Sequence, residues 1–177
     1  MIKEENKIIE RDIARRAFLF EIITEVDAES LISDINNFIK EKNLNYTTNV
    51  KGGMTDWYAF NNHEKFLNIL NEGCTYLGKY ANFNKAALKE AWGIKIEKGD
   101  YTEKHNHAAS VMSGILYLND VDQNLIFPDL RISVKPRKGT FLLFSPWLDH
   151  MTDVNKTETT KYAIPFNFME YKHKDWS

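Results

Sequence analysis

Two short segments hold three of the chain's five histidines, and they constrain the fold more than any other feature of the sequence. The first runs YTEKHNHAASVMSGILY from Tyr101 to Tyr117 and contains His105 and His107. The second, FLLFSPWLDHMT, comes about forty residues later and contains His150. Each adjoins a dense apolar run, Val111 to Leu118 in one case and Thr140 to Ser145 in the other. Short apolar runs of this kind read as buried strands. On an extended strand residues i and i+2 point to one face, so both imidazoles of an HxH pair can reach one ion. His150 follows Pro146-Trp147-Leu148-Asp149 at the end of the second strand, where a polar side chain would face the same pocket. Imidazole is the common nitrogen ligand of iron, zinc, copper and nickel. An HxH pair alone reads more readily as two surface histidines on a polar loop; the third histidine shifts the balance toward a metal. A fold that satisfies this pattern must lay two distant strands side by side.

The bulk properties narrow the class. A length of 177 residues suits a single domain over 1–177, since a second core would be hard to fit. Aromatics at 13% suit a β-rich core or a lined pocket, and a net charge of -2 provides no basic field for nucleic acid. No apolar run approaches the roughly 18 residues of a membrane span. The first residues, MIKEENKIIERD, are charged and lack the apolar region of a signal peptide. Cys74 is the one cysteine, which excludes an internal disulfide and fits a reducing cytoplasm, the expected location.

In chain order, residues 1–16 are charged and read as a short helix. AFLFEIIT, from Ala17 to Thr24, reads as a strand. Asp27 is a plausible N-cap for a helix reaching about Lys42, with Leu31, Ile35, Phe38 and Ile39 on one face. Residues 43–62 read as a loop with extended pieces, punctuated by Gly52-Gly53; Trp57 and Tyr58 make it the candidate lid. A second helix is expected after Asn62, with His63 exposed at its head and Phe66, Ile69, Leu70, Leu77 and Tyr80 as its stripe. Cys74 in that helix reads as a small buried hydrophobe. Strands are then expected in Trp92 to Lys98, Val111 to Leu118, Asn124 to Phe127, Leu130 to Val134, Thr140 to Ser145 and Lys161 to Met169. The expected architecture is helical support over about 1–90 and a sandwich of roughly eight strands over about 91–170. No phosphate loop, dinucleotide fingerprint or nucleophile elbow is present.

These residues resemble the iron(II)/2-oxoglutarate-dependent dioxygenase superfamily, and particularly its prolyl-hydroxylase-like branch. The resemblance rests on four ordered pieces: His105-Asn106-His107, LYLND from Leu116 to Asp120, Pro136 to Phe144 followed by His150, and KYAIPFN from Lys161 to Asn167. Trp92, Ser113-Gly114-Ile115-Leu116-Tyr117 and Trp147-Leu148-Asp149-His150 are similar to an uncharacterised group of small oxygenases of this kind. The resemblance covers about residues 90–170. It implies a mostly β fold with N-terminal helices and a double-stranded β-helix core, the jelly roll of cupins. It implies iron(II) on His105, His107 and His150, with 2-oxoglutarate as co-substrate and dioxygen as oxidant. Lys161 falls on the basic residue that holds the distal carboxylate of 2-oxoglutarate, Tyr117 on a tyrosine that assists it, and Ser113 near that site. The activity implied is hydroxylation with release of succinate and carbon dioxide.

Two departures from that pattern stand out. His107 occupies the place where many members have a carboxylate, which leaves three neutral ligands; Asp100, Glu103 and Asp129 are candidate compensating charges, while Asp149 should point away from His150. Lysine replaces arginine at Lys161, a point charge where a bidentate fork is usual. Strand phase alone leaves Lys161 open to being an exposed strand residue and leaves Arg131 and Arg137 as rival anchors. Trp92, Tyr101 and Trp147 would shape the pocket or fill the core. Two other readings stay open: a three-histidine cupin-like metal protein or dioxygenase that does not use 2-oxoglutarate, and a jelly-roll binding module. The expected substrate is a small molecule or a protein side chain, with no nucleic-acid or membrane partner; self-association of the chain into a homo-oligomer is left open.

Overall fold

The computed structural model describes residues 17–41, 48–79 and 86–171. The helix expected over 1–16, and Lys42 and Tyr80, lie outside them. Strand β1 (Leu19–Ile23) is followed by helix α1 (Ala28–Glu41). Asp27 starts α1, its Oδ1 accepting from the Ser30 N–H at 3.4 Å. The short strands β2 (Val50–Lys51) and β3 (Gly53–Met54) precede helix α2 (Glu64–Leu77). Then come β4 (Ala86–Ala91), β5 (Ile94–Ile96), β6 (Tyr101–Thr102) and β7 (Met112–Tyr117). A 3-10 turn at Pro128–Leu130 separates β8 (Leu125–Phe127) from β9 (Ile132–Val134). Strands β10 (Thr140–Phe144), β11 (Met151–Thr152) and β12 (Lys161–Glu170) complete the described chain. It is mostly β, and every pairing among these strands is antiparallel. No helix among the described residues is long and apolar enough to cross a membrane.

The largest sheet runs β1-β10-β7-β12-β5-β3, with β4 pairing the far half of β12. Its central strands are apolar on both sides because both faces are covered. On one face Met112, Leu116, Phe141, Leu143, Ile164, Phe166 and Phe168 pack with Leu31 and Ile35 of α1 and Phe66 and Leu70 of α2. Burying each such side chain is worth about 1.5–3 kcal/mol, which holds both helices on the sheet. On the other face Ile115, Tyr117, Leu142, Phe144 and Ala163 pack with Leu125, Phe127 and Val134 of a second sheet, ordered β11-β8-β9. The period-2 rule thus sends odd-numbered residues of β7 and β12 toward the second sheet. That phase carries Tyr117 and Lys161 to the side where the histidines lie.

Three expectations need correction. β4 falls inside the stretch expected to be helical; its sequence AALKEA favours helix, and pairing with β12 overrides that preference. His63 is not exposed: its Nδ1 accepts from the Phe66 N–H at 3.4 Å, its Nε2 meets Asp34 Oδ2 at 3.0 Å, and its ring lies 5.0 Å from Phe60. It caps α2 as Asp or Ser would. Neither histidine of the HxH pair lies in a regular strand: His105 makes an isolated bridge with His150, and His107 sits ahead of a turn.

Gly114 is where two layers come closest. A Cβ there would lie 2.4 Å from the Phe166 ring and 2.5 Å from Leu142 O, inside contact distance of both. Gly114→Ala is therefore expected to lower unfolding free energy by about 1–3 kcal/mol, measured by urea denaturation; an unchanged midpoint would show that the layers can part freely.

Candidate metal centre and its pocket

The two histidine segments meet through their backbones. His105 N–H donates to His150 O at 3.1 Å and His150 N–H donates to His105 O at 2.9 Å, an isolated antiparallel bridge. His107 N–H donates to Pro146 O at 2.7 Å. Asp149 points away from His150 and ties the same segments on the outside: its Oδ1 accepts from Asn106 Nδ2 at 2.8 Å, and its Oδ2 lies 3.4 Å from Lys104 Nζ. The Asn106 bond holds the Asp149 carboxyl below its usual range, helped by Lys104. The ring centroids of His105, His107 and His150 lie 4.9, 4.2 and 5.2 Å apart for the 105–107, 105–150 and 107–150 pairs. One ligand nitrogen from each lies within 4.8 Å of the others, so the three could hold a metal ion.

The rings are neutral where a metal needs them to be. Burial, opposed by a hydrogen bond to a backbone carbonyl, holds His105 below the ordinary imidazole value. Burial and the neighbouring His105 lower His150 to about 4. Burial, with the two other histidines and Lys89 nearby, lowers His107 to about 3. His105 Nδ1 lies 2.8 Å from Glu103 O, and His150 Nδ1 lies 2.9 Å from Leu148 O. A carbonyl only accepts, so each Nδ1 carries the proton and each Nε2 keeps a lone pair. His107 Nδ1 instead lies 3.4 Å from Asn167 Nδ2. Asn167 Nδ2 also donates to Glu90 Oε1 at 2.8 Å, and its Oδ1 accepts from the Ser113 hydroxyl at 2.6 Å.

The same pocket continues away from the histidines between Trp92, Ile94, Ile115, Phe144 and Pro165 to Tyr117 and Lys161. Strand register explains the last two: Ala163 faces Tyr117 across β12 and β7, which makes Lys161 its diagonal neighbour on the same face. Lys161 is 1% exposed and has no anion or hydrogen-bond partner among the described residues. Burial alone lowers its ammonium to about 7. Burial also raises the Tyr117 phenol. The indole N–H of Trp92 is buried without a partner among the described residues. Ser113 does not line this pocket; its hydroxyl is taken by Asn167. Arg131 and Arg137 are exposed and outside the pocket, Arg137 on a separate surface depression. The three acids suggested as compensating charges lie elsewhere: Asp100 accepts from the Glu97 N–H, Glu103 pairs with Lys51, and Asp129 is exposed. Trp57 packs 4.7 Å from Trp92, whose ring is 6.3 Å from His107, while Tyr58 faces solvent. The thiol of Cys74 sits against the helix-side core, its burial pushing it up to about 11.

No protein-family model matches the sequence, and no curated protein matches it. Solved structures do match in fold. A viral collagen prolyl hydroxylase from Paramecium Bursaria Chlorella virus-1, in complex with 2-oxoglutarate, superposes with a TM-score of 0.64 at 18% identity, over 85% of this chain and 96% of that one. HygX from Streptomyces hygroscopicus, with nickel, 2-oxoglutarate and hygromycin B bound, superposes at 0.67 and 13% identity, over 90% and 85% of the two chains. A Pseudomonas putida prolyl-4-hydroxylase gives 0.64 at 14%, over 88% and 93%. The fold is that of the iron(II)/2-oxoglutarate oxygenases.

Within that oxygenase fold, two side chains at the centre escaped sequence reading. Asn167 continues the odd-numbered face of β12 that starts at Lys161, so counting by two along the strand finds it. Glu90 carried no such signal, because its strand lay in the stretch assigned only to helical support. The buried ammonium of Lys161 has a measurable consequence. Its folded value of about 7 lies below the ordinary 10.5, so the unfolded chain binds more protons between these values and stability rises with pH across that window. Lys161→Met is expected to stabilise the protein at pH 7 by roughly 2–4 kcal/mol and to flatten that slope, read by denaturation at pH 7 to 10. A variant of lower stability with the slope intact would mean that the ammonium has a partner.

Proposed function

We propose that the protein is an iron(II)- and 2-oxoglutarate-dependent oxygenase that hydroxylates a small molecule or a protein side chain, releasing succinate and carbon dioxide. The carrying observation is Lys161: a buried cation without an anion, opening onto the pocket that the three histidines share. An isolated buried ammonium costs stability, and a carboxylate ligand offsets that cost. The donor set suits the metal. His105 and His150 present neutral Nε2 lone pairs, and His107 lies within reach of the same ion. Iron bound there supplies the redox chemistry that couples decarboxylation of 2-oxoglutarate by dioxygen to oxidation of a substrate C–H bond.

The chain's own residues bind and orient. Lys161 pairs with the far carboxylate of 2-oxoglutarate, and Tyr117 donates its phenolic proton to the same group. Ile94, Ile115 and Phe144 exclude water around them, which strengthens that pairing. The indole N–H of Trp92 is a free donor for a ligand in the pocket. The neighbouring enzymes that carry 2-oxoglutarate in their structures support this class. A metal protein that does without 2-oxoglutarate would have no use for Lys161 where it stands.

Anaerobic titration with iron(II) and 2-oxoglutarate is expected to give a visible metal-to-ligand absorption band. His105→Ala and His150→Ala should abolish it. Lys161→Ala should weaken 2-oxoglutarate binding about tenfold to hundredfold while iron binding holds. No band from wild-type protein, or full 2-oxoglutarate affinity in Lys161→Ala, would refute the proposal.

A further inference from the structure

The three imidazoles are not held alike. His105 and His150 each turn Nδ1 to the carbonyl two residues back, Glu103 and Leu148, which leaves Nε2 with a lone pair. His107 turns Nδ1 to the side-chain amide of Asn167, 3.4 Å from its Nδ2. That amide is not free to turn over. Its Nδ2 lies 2.8 Å from Glu90 Oε1, and a carboxylate can only accept. The reversed amide would set oxygen against oxygen there. Its Oδ1 is satisfied in the present orientation by the Ser113 hydroxyl at 2.6 Å. Asn167 is 1% exposed, so bulk water offers no substitute partner. Glu90 and Asn167 face each other directly in the β4–β12 register, just before the register shift that follows Asn167. With one N–H of Asn167 committed to Glu90, the other faces His107 Nδ1, which accepts. A neutral imidazole has one proton, and here it sits on Nε2.

We propose that Glu90, acting through Asn167, holds the ring proton of His107 on Nε2. His107 then serves the metal centre as a hydrogen-bond donor to an oxygen ligand of the ion, such as water or a carboxylate, while His105 and His150 supply the nitrogens. This rests on the metal-centre reading above. It also gives the missing carboxylate a place: Glu90 stands one amide behind His107 and contributes charge without ligating. Glu90 and Asn167 are positioning residues in this account. Without the Glu90 carboxylate, Asn167 can turn its oxygen to His107 and let the Ser113 hydroxyl accept, which frees Nε2 to join the ion.

The test reads the proton directly. Long-range 1H–15N correlation spectra of the imidazoles in metal-free protein should show Nδ1–H on His105 and His150 and Nε2–H on His107. In Glu90→Leu the His107 proton should move to Nδ1, and zinc affinity should rise about tenfold, a gain lost in Glu90→Leu/His107→Asn. In His107→Asn alone, zinc affinity should stay within about threefold of wild type, against a loss of at least about a hundredfold in His105→Asn. A wild-type His107 with its proton on Nδ1 would overturn the proposal, whatever the variants do. So would a zinc loss in His107→Asn equal to that in His105→Asn. Wild-type protein that binds no zinc would overturn the metal-centre reading, and the donor role with it.

Discussion

The site depends on one pair of backbone hydrogen bonds, those exchanged between His105 and His150 at 3.1 and 2.9 Å. They join two segments that the chain separates by four strands, β7 to β10, and a 3-10 turn. Everything near them serves to hold that junction. Asp149 ties it from outside through Asn106 and Lys104, and the His107 N–H closes on Pro146 O. Backbone hydrogen bonds fix position more tightly than side-chain contacts do, because no rotamer can relax them. The two rings thereby reach one point with their proton-bearing nitrogens already occupied by carbonyls.

Away from the junction the pocket carries a cost in stability that the proposed carboxylate ligand would offset. A lysine at 1% exposure without a partner is an expensive choice, and the apolar walls around it raise the cost. The large sheet can bear it. Its helix side is packed by Phe66, Phe141, Phe166 and their neighbours, and among the described residues Lys161 is the one fully buried lysine, arginine or carboxylate. The candidate site therefore sits on one face of a sheet whose other face supplies the stability.

Much of this was legible in the sequence because the central strands are buried on both sides. Apolar runs such as MSGILY and TFLLF have one reading, and the phase of KYAIPFN puts Lys161 on the face of Ala163. The histidines declared themselves by spacing, although all three proved to lie outside the regular strands. Other parts had no local signal. AALKEA has the composition of a helix and becomes β4 only by pairing with β12, so Glu90 could not be placed beside Asn167. β6 and β11 have two residues each, too few for any periodicity. His63 looked like a surface residue because the Asp34 it bonds lies 29 positions away on the other helix.

A crystal structure with cobalt(II) and 2-oxoglutarate bound is the most direct test of the whole account. The anomalous map should show one peak about 2.1 Å from Nε2 of both His105 and His150. Density for the dicarboxylate should end on Lys161 Nζ at about 2.7–2.9 Å. A peak elsewhere, or a dicarboxylate anchored on Arg131 or Arg137, would contradict it.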